Sequence, residues 1–153
     1  MLNSKTLDAI SLYDMSDLSC IENLYFLCLG AHSKHVSLNL EKLSPQQSEM
    51  YQKLKNTLSI ECTSDDGIKQ FEELISEVKS FDIVELELPY FPSQQQRRDL
   101  CQWIRKNAHE KSLIKLTVNK DIIFGCKLYL KGRFFDLSLN NRVEEWLSIN
   151  LSN

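Results

Sequence analysis

The apolar residues of this chain change their spacing once. Up to about residue 80 they recur three or four positions apart, as on one face of an α-helix, and from Phe81 they alternate with polar residues, as in a half-buried strand. Residues 5–14 suit a short helix. Ser16 or Asp17 can cap a second, whose Leu18, Ile21, Leu24, Tyr25 and Cys28 form a stripe ending at Gly30. Between 31 and 43 two readings stay open, because Val36, Leu38 and Leu40 alternate like a strand over too short a run to exclude a frayed helix. Ser44-Pro45-Gln46-Gln47 combines a capping box with proline at the first helical position and predicts a helix over 45–59, with Met50, Tyr51, Leu54 and Leu58 along it. After the break at Thr63-Ser64-Asp65-Asp66-Gly67, the residues Ile68, Phe71, Leu74, Ile75 and Val78 predict another helix to about residue 80.

In the second half Val84, Leu86 and Leu88 alternate with Glu85 and Glu87 and predict a strand. A capping box from Ser93 to Gln96 opens a helix that turns Leu100, Trp103, Ile104 and Ala108 inward, and Ile114, Leu116 and Val118 form the next strand. Leu128 and Leu130 alternate with Lys127, Tyr129 and Lys131. Gly132 then permits the positive φ of a tight turn, and Phe134-Phe135 supplies an aromatic return strand, so the segment is a hairpin. Asp136 or Ser138 can cap a last helix whose Leu139, Val143, Trp146 and Leu147 fall on one face. The predicted class is α+β: a small helical bundle over 1–80, then an α/β part over 81–153 in the order β-α-β-β-β-α.

The run from Asn119 to Leu147 resembles the C-terminal signature of the delta subunit of F-type ATP synthases, the counterpart of the mitochondrial oligomycin-sensitivity-conferring protein. That signature places a pair of small residues ending in glycine before a strand, a glycine-containing turn, a second strand, and Asp-x-Ser-apolar-x-x-Arg-apolar. Gly125, Gly132, Asp136, Ser138, Leu139, Arg142 and Val143 stand at those positions without a gap. Phe124 replaces the first small residue, Lys131-Gly132 a Gly-Asp turn, and Leu137 a glycine. The resemblance extends upstream through Ile83 to Pro89 and the helix after Ser93, covering about residues 80–150. It implies a non-catalytic stator subunit without cofactors. In it a helical domain holds N-terminal segments of alpha subunits, and a C-terminal domain holds the ends of b subunits. The family's six-helix N-terminal bundle is shortened here to four or five helices.

Charge is uneven along the chain. Residues 1–79 hold seven lysines, no arginine and twelve acids, a net −5, whereas residues 80–153 carry a net +2 within an overall −3. That balance excludes a general nucleic-acid binder, which needs a concentrated basic surface. No apolar run approaches the 18 or so residues needed to cross a bilayer, so any membrane contact is expected through partners. The N-terminus has neither the apolar core of a signal peptide nor the arginine-rich character of a transit peptide. Five irregularly placed cysteines, most of them in apolar-periodic segments, read as packed thiols in a reduced compartment. With the resemblance, the expected location is the cytoplasmic face of the inner (plasma) membrane, as a peripheral protein.

Candidate chemistry is sparse. Cys28, His32 and His35 carry soft ligands within two helical turns, yet no fourth ligand accompanies them and no acid orients His32 toward Cys28. Arg97, Arg98, Arg105 and Lys106 make the helix after Ser93 basic, either as a solvated face or as a surface for an acidic partner. Trp103 and Trp146 read as core anchors or as residues seated in a partner groove. Asp136 and Ser138 are capping residues, and Arg142 can pair with Glu144 or Glu145. Two alternatives to a delta-type subunit stand. One is the E-type stalk subunit of A- and V-type ATPases, whose long coiled-coil helix lacks a heptad counterpart here. The other is a small cytosolic thiol or metal-dependent enzyme using Cys28 and His32.

Overall fold

The computed structural model describes residues 2–62 and 64–139, and everything below concerns those residues. The helical half contains α1 (Ser4–Ala9), α2 (Met15–Ser33), α3 (Pro45–Leu58) and α4 (Asp65–Lys79), with a single 3-10 turn at Leu40–Lys42. Then follow β1 (Asp82–Leu88), α5 (Gln94–Asn107), β2 (Ser112–Val118), β3 (Lys127–Leu130) and β4 (Arg133–Asp136). The α+β class and the order of strands and helix agree with the sequence pattern. The expected last helix lies outside the described residues.

Local chemistry sets most boundaries. Ser44 accepts from the Gln47 backbone N–H while the Gln47 side chain accepts from Ser44 N, and Ser93 and Gln96 repeat the arrangement, so both predicted capping boxes form. At α2 the cap is Asp14, not Ser16 or Asp17. Its carboxylate accepts from Ser16 N and Asp17 N, and the Asp17 carboxylate reaches back to Tyr13 N and Asp14 N. Burial raises the Asp17 carboxyl above its ordinary range, and the neighbouring Asp14 charge adds to this. Gly30 does not end α2, which runs on to Ser33, because a glycine with helical neighbours on both sides weakens a helix without breaking it. The alternation at Val36, Leu38 and Leu40 forms no strand; with no partner strand beside it, a short period-two run has nothing to bond to.

Gly67 marks a close approach. A Cβ there would stand 1.8 Å from the Glu61 carbonyl oxygen, so the first turn of α4 packs directly onto the backbone that precedes it. The helical core gathers Leu7, Ile10, Leu12, Ile21, Leu24, Leu54, Ile60, Phe71 and Val78, all fully or almost fully buried.

The sheet has the order β2-β1-β3-β4, with β1 parallel to β2 and antiparallel to β3, and β3 antiparallel to β4. Val84, Leu86 and Ile114 face a second core with Cys101 and Ile104 of α5, while Glu85 and Glu87 point away. The two cores meet at a seam. Leu113 of β2 is packed in the helical core, and Tyr13 of the helical half is packed in the sheet core. Residues 13–14 also lie along the β2 edge, where Ile114 N donates to Tyr13 O at 3.1 Å.

Candidate interaction surfaces

Three of the signature residues, Gly125, Asp136 and Ser138, are brought together at the open end of the hairpin. Gly125 has φ +91°, and a Cβ there would stand 2.3 Å from the Leu137 carbonyl oxygen, so two strands of backbone pass at a distance only glycine allows. Around that contact Leu137 N donates to Cys126 O, and Leu139 N donates to Phe124 O. Asp136 accepts from Ser138 N at 2.9 Å and Ser138 Oγ at 2.6 Å, and these two bonds hold its carboxyl below the usual range. At the other end Lys131 and Gly132 have φ +49° and +75°, a two-residue turn with both central residues left-handed. Sequence reading found the glycine and missed the strained lysine. Ile123, Phe124, Phe134, Phe135 and Leu137 are exposed along this hairpin. Arg142, Val143 and Trp146 lie outside the described residues.

The basic helix α5 divides its arginines. Arg98 is exposed, as a solvated or partner-facing residue would be. Arg105, expected among the surface arginines, is instead buried. Its Nη2 donates to Leu12 O at 2.6 Å and Ser112 O at 3.2 Å, its Nε to Ser112 O at 3.3 Å, and its Nη1 to Asp8 Oδ1 at 3.3 Å. Arg97 reaches the buried Asp14 at 2.5 Å, and Gln102 donates to Asp8 at 3.0 Å. Arg97, Cys101 and Arg105 are spaced by four, which puts them on one helix face with the apolar Cys101; that spacing was the available signal for the seam. Burial pushes the Cys101 thiol up to about 12, although Arg105 pulls it down.

Trp103, expected to turn inward, is 60% exposed, and Ala108 is exposed as well. The inward face is Cys101, Ile104 and Arg105, and a residue one place before Ile104 falls off it. Trp103 instead walls a groove of about 370 Å³ with Leu88, Tyr90, Pro92 and Leu100, and Gln96 and Asp99 on its rim. Phe91 stands exposed nearby under the Arg97 guanidinium, 5.5 Å from the ring centroid.

A second groove, of about 270 Å³, runs between α2 and α4. Glu22, Tyr25 and Phe26 form one wall, and Glu72, Ile75, Ser76 and Lys79 the other. Lys79 pairs with Glu22 at 2.7 Å, and Tyr25 Oη donates to Glu72 at 2.5 Å, a bond that raises the tyrosine pKa. Phe26 is 65% exposed above it.

Cys28, His32 and His35 are not gathered into one site. Cys28 is bonded to Cys62 in a disulfide, against the expectation of packed free thiols; His32 Nε2 lies 2.8 Å from Asp65; and His35 occupies a left-handed turn at φ +54°. The 34-residue separation of the two cysteines hid the pair from sequence reading. Cys20, Cys101 and Cys126 are free. Among the described residues no group of three or more His, Cys, Asp or Glu side chains could hold a metal ion, and no helix is long and apolar enough to cross a membrane.

The fold and these surfaces define an α+β protein whose distinctive features are two grooves, an aromatic hairpin and a glycine-dependent backbone crossing. The family model for the ATP synthase delta (OSCP) subunit matches residues 64–148, and the chain belongs to that family. It is thereby a peripheral-stalk, or stator, subunit of an ATP synthase complex. The match takes in α4 as well as the sheet, so it begins before the Phe81 boundary read from the sequence. No curated protein matches the chain.

Proposed function

We propose that this chain links the catalytic alpha/beta hexamer to the membrane-anchored b subunits on the cytoplasmic face of the membrane, and holds the hexamer against rotary torque. The single observation that carries this is the family match from α4 through the sheet and its hairpin. The part to about residue 80 grips N-terminal alpha-subunit segments in the α2–α4 groove. The part from 81 onward holds the C-terminal helix of a b subunit in the groove of Leu88, Tyr90 and Trp103. Gly125, Gly132, Asp136, Ser138, Leu139, Arg142 and Val143 serve as architecture, and Arg97, Arg105 and their partners keep the two parts in fixed relation. The chain has no catalytic residues of its own and meets the membrane through the complex. An exposed aromatic groove with a polar rim suits a helix docked by many small contacts better than it suits chemistry.

The test uses the full-length chain and the C-terminal segment of the b subunit from the same organism. Trp103→Ala is expected to weaken binding at least ten-fold in calorimetry while moving the melting temperature little, because the side chain is mostly exposed. Undiminished affinity in Trp103→Ala and Tyr90→Ala would remove the b subunit from this groove.

A further inference from the structure

The disulfide joins one element of the α2–α4 groove, α2, to the connector that leads into the other. Cys28 lies on α2, two residues beyond the groove wall residue Phe26, and Cys62 lies in the connector that delivers the chain into α4. The two helices are tied along their length by contacts in reverse order, Glu22 to Lys79, Tyr25 to Glu72 and His32 to Asp65. Apart from the disulfide, these cross-ties are exposed or half-exposed polar pairs, which are individually weak in water. Beneath them Ile21 and Leu24 of α2 pack with Phe71, Leu74 and Val78 of α4 in the helical core, and the covalent tie adds to this packing at the end where the connector enters α4.

Ile60 and the disulfide both anchor the connector in the core. Its described residues 59–62 and 64 are in no helix or strand; Ser59 is left-handed, and Gly67 packs against Glu61 so closely that the connector and the first turn of α4 move together. Freeing Cys62 therefore loosens the entry to α4 and, with it, one wall of the groove. Both sulfurs are buried in the helical core, so local opening of the connector precedes any exchange.

We propose that Cys28 and Cys62 form a reversible redox tie that pins the connector to α2 and, through the Gly67–Glu61 contact, steadies the entry to α4, making the groove competent when oxidised and looser when reduced. At the cytoplasmic face, where the proposed role puts the chain, disulfides are characteristically cycled rather than permanent. In the reducing direction the Sγ–Sγ bond breaks, a dithiol reductant supplies two electrons and two protons, and it closes its own disulfide while Cys28 and Cys62 become thiols. The docking half of this inference rests on the proposed binding of an alpha-subunit segment in the groove; the tie itself does not.

The experiment takes the full-length chain equilibrated in oxidised glutathione or in the dithiol dithiothreitol, with thiols trapped and mapped by mass spectrometry. A peptide linking Cys28 to Cys62 is expected in the oxidised sample. On reduction, amide exchange in the connector and the first turns of α4 should rise at least ten-fold while β1 to β4 stay unchanged, and the melting temperature should fall by about 10 °C. The double variant C28A/C62A should match the reduced protein in both buffers. Free Cys28 and Cys62 thiols under oxidised glutathione, linkage of either to Cys126, or unchanged exchange in α4 would each overturn the tie. A peptide of the alpha-subunit N-terminus, titrated into both forms, should bind the oxidised form at least five-fold more tightly. Equal affinities would overturn the groove's redox dependence. Binding to neither form would dismiss the alpha-subunit reading alone, the exchange data still deciding the tie.

Discussion

At Gly125 two constraints coincide, a left-handed φ of +91° and a carbonyl oxygen 2.3 Å from where a Cβ would sit. Gly132 has only the first, since nothing lies within 4 Å of its added Cβ. The two glycines therefore separate conformational strain from close approach. Gly132→Ala is expected to cost about 1 kcal/mol, the ordinary penalty of the left-handed region. Gly125→Val is expected to cost about 3 kcal/mol, because strain and a backbone clash add at a position where neither neighbour is a flexible side-chain tip. Urea melts of the two variants check this; equal losses would show that the crossing of residues 124–126 with 137–139 is relaxed in solution. Glycine before a strand was legible as a bend. That the partner at the bend is Leu137 was not, because a contact across a hairpin is set by register rather than by composition.

Among the elements, α5 carries the largest gap between pattern and structure. Its apolar positions are few, and its inward face is completed by Arg97 and Arg105, whose charges meet Asp14, Asp8 and the carbonyls of Leu12 and Ser112. A buried guanidinium with several acceptors is costly to remove, since each acceptor is then left without a donor. Arg105→Met is expected to lose about 3 kcal/mol of stability, and Arg98→Ala, on the exposed face, less than about 0.5 kcal/mol. Equilibrium denaturation of both variants measures the contrast; similar small losses would place Arg105 at the surface after all. A charge run on a helix says nothing about which side is inward until the partner surface is known, which is why four cations read as one basic face.

At the scale of the molecule, the seam makes the two halves interdependent. Tyr13 and Asp14 lie along the β2 edge, Asp8 and Leu12 accept from Arg105, and Tyr13 covers Cys101, whose Sγ lies 3.3 Å from Tyr13 O. A fragment starting at Ser80 loses all of that cover. It is expected to lack a cooperative thermal transition by circular dichroism, and its Cys101 to react with thiol reagents at pH 8, whereas in the full chain burial holds that thiol up at about 12 and leaves it unreactive. A fragment that melts within a few degrees of the full chain with Cys101 protected would show that the seam is dispensable.

Elements whose information is local were legible along the chain. Both capping boxes, the helix over Asp65–Lys79, the alternating β1 and β2 and the Lys131-Gly132 turn follow from side chains bonding or packing within a few residues of themselves. The family, too, was legible in the order of glycines, aspartate and serine along the hairpin. Only the tertiary structure decided which face of α5 is inward, that Asp14 caps α2 while binding Arg97, that Trp103 lines an open groove, and that Cys28 meets Cys62. The Trp103 groove depends on Leu88 and Tyr90 across a strand-to-helix connection, and the other three depend on groups 34 to 97 positions apart, as in the Cys28–Cys62 bond and the Arg105–Asp8 pair. Such contacts close only when the whole core forms, so spacing can put Arg97, Cys101 and Arg105 on one face of a helix but cannot name the groups that meet them.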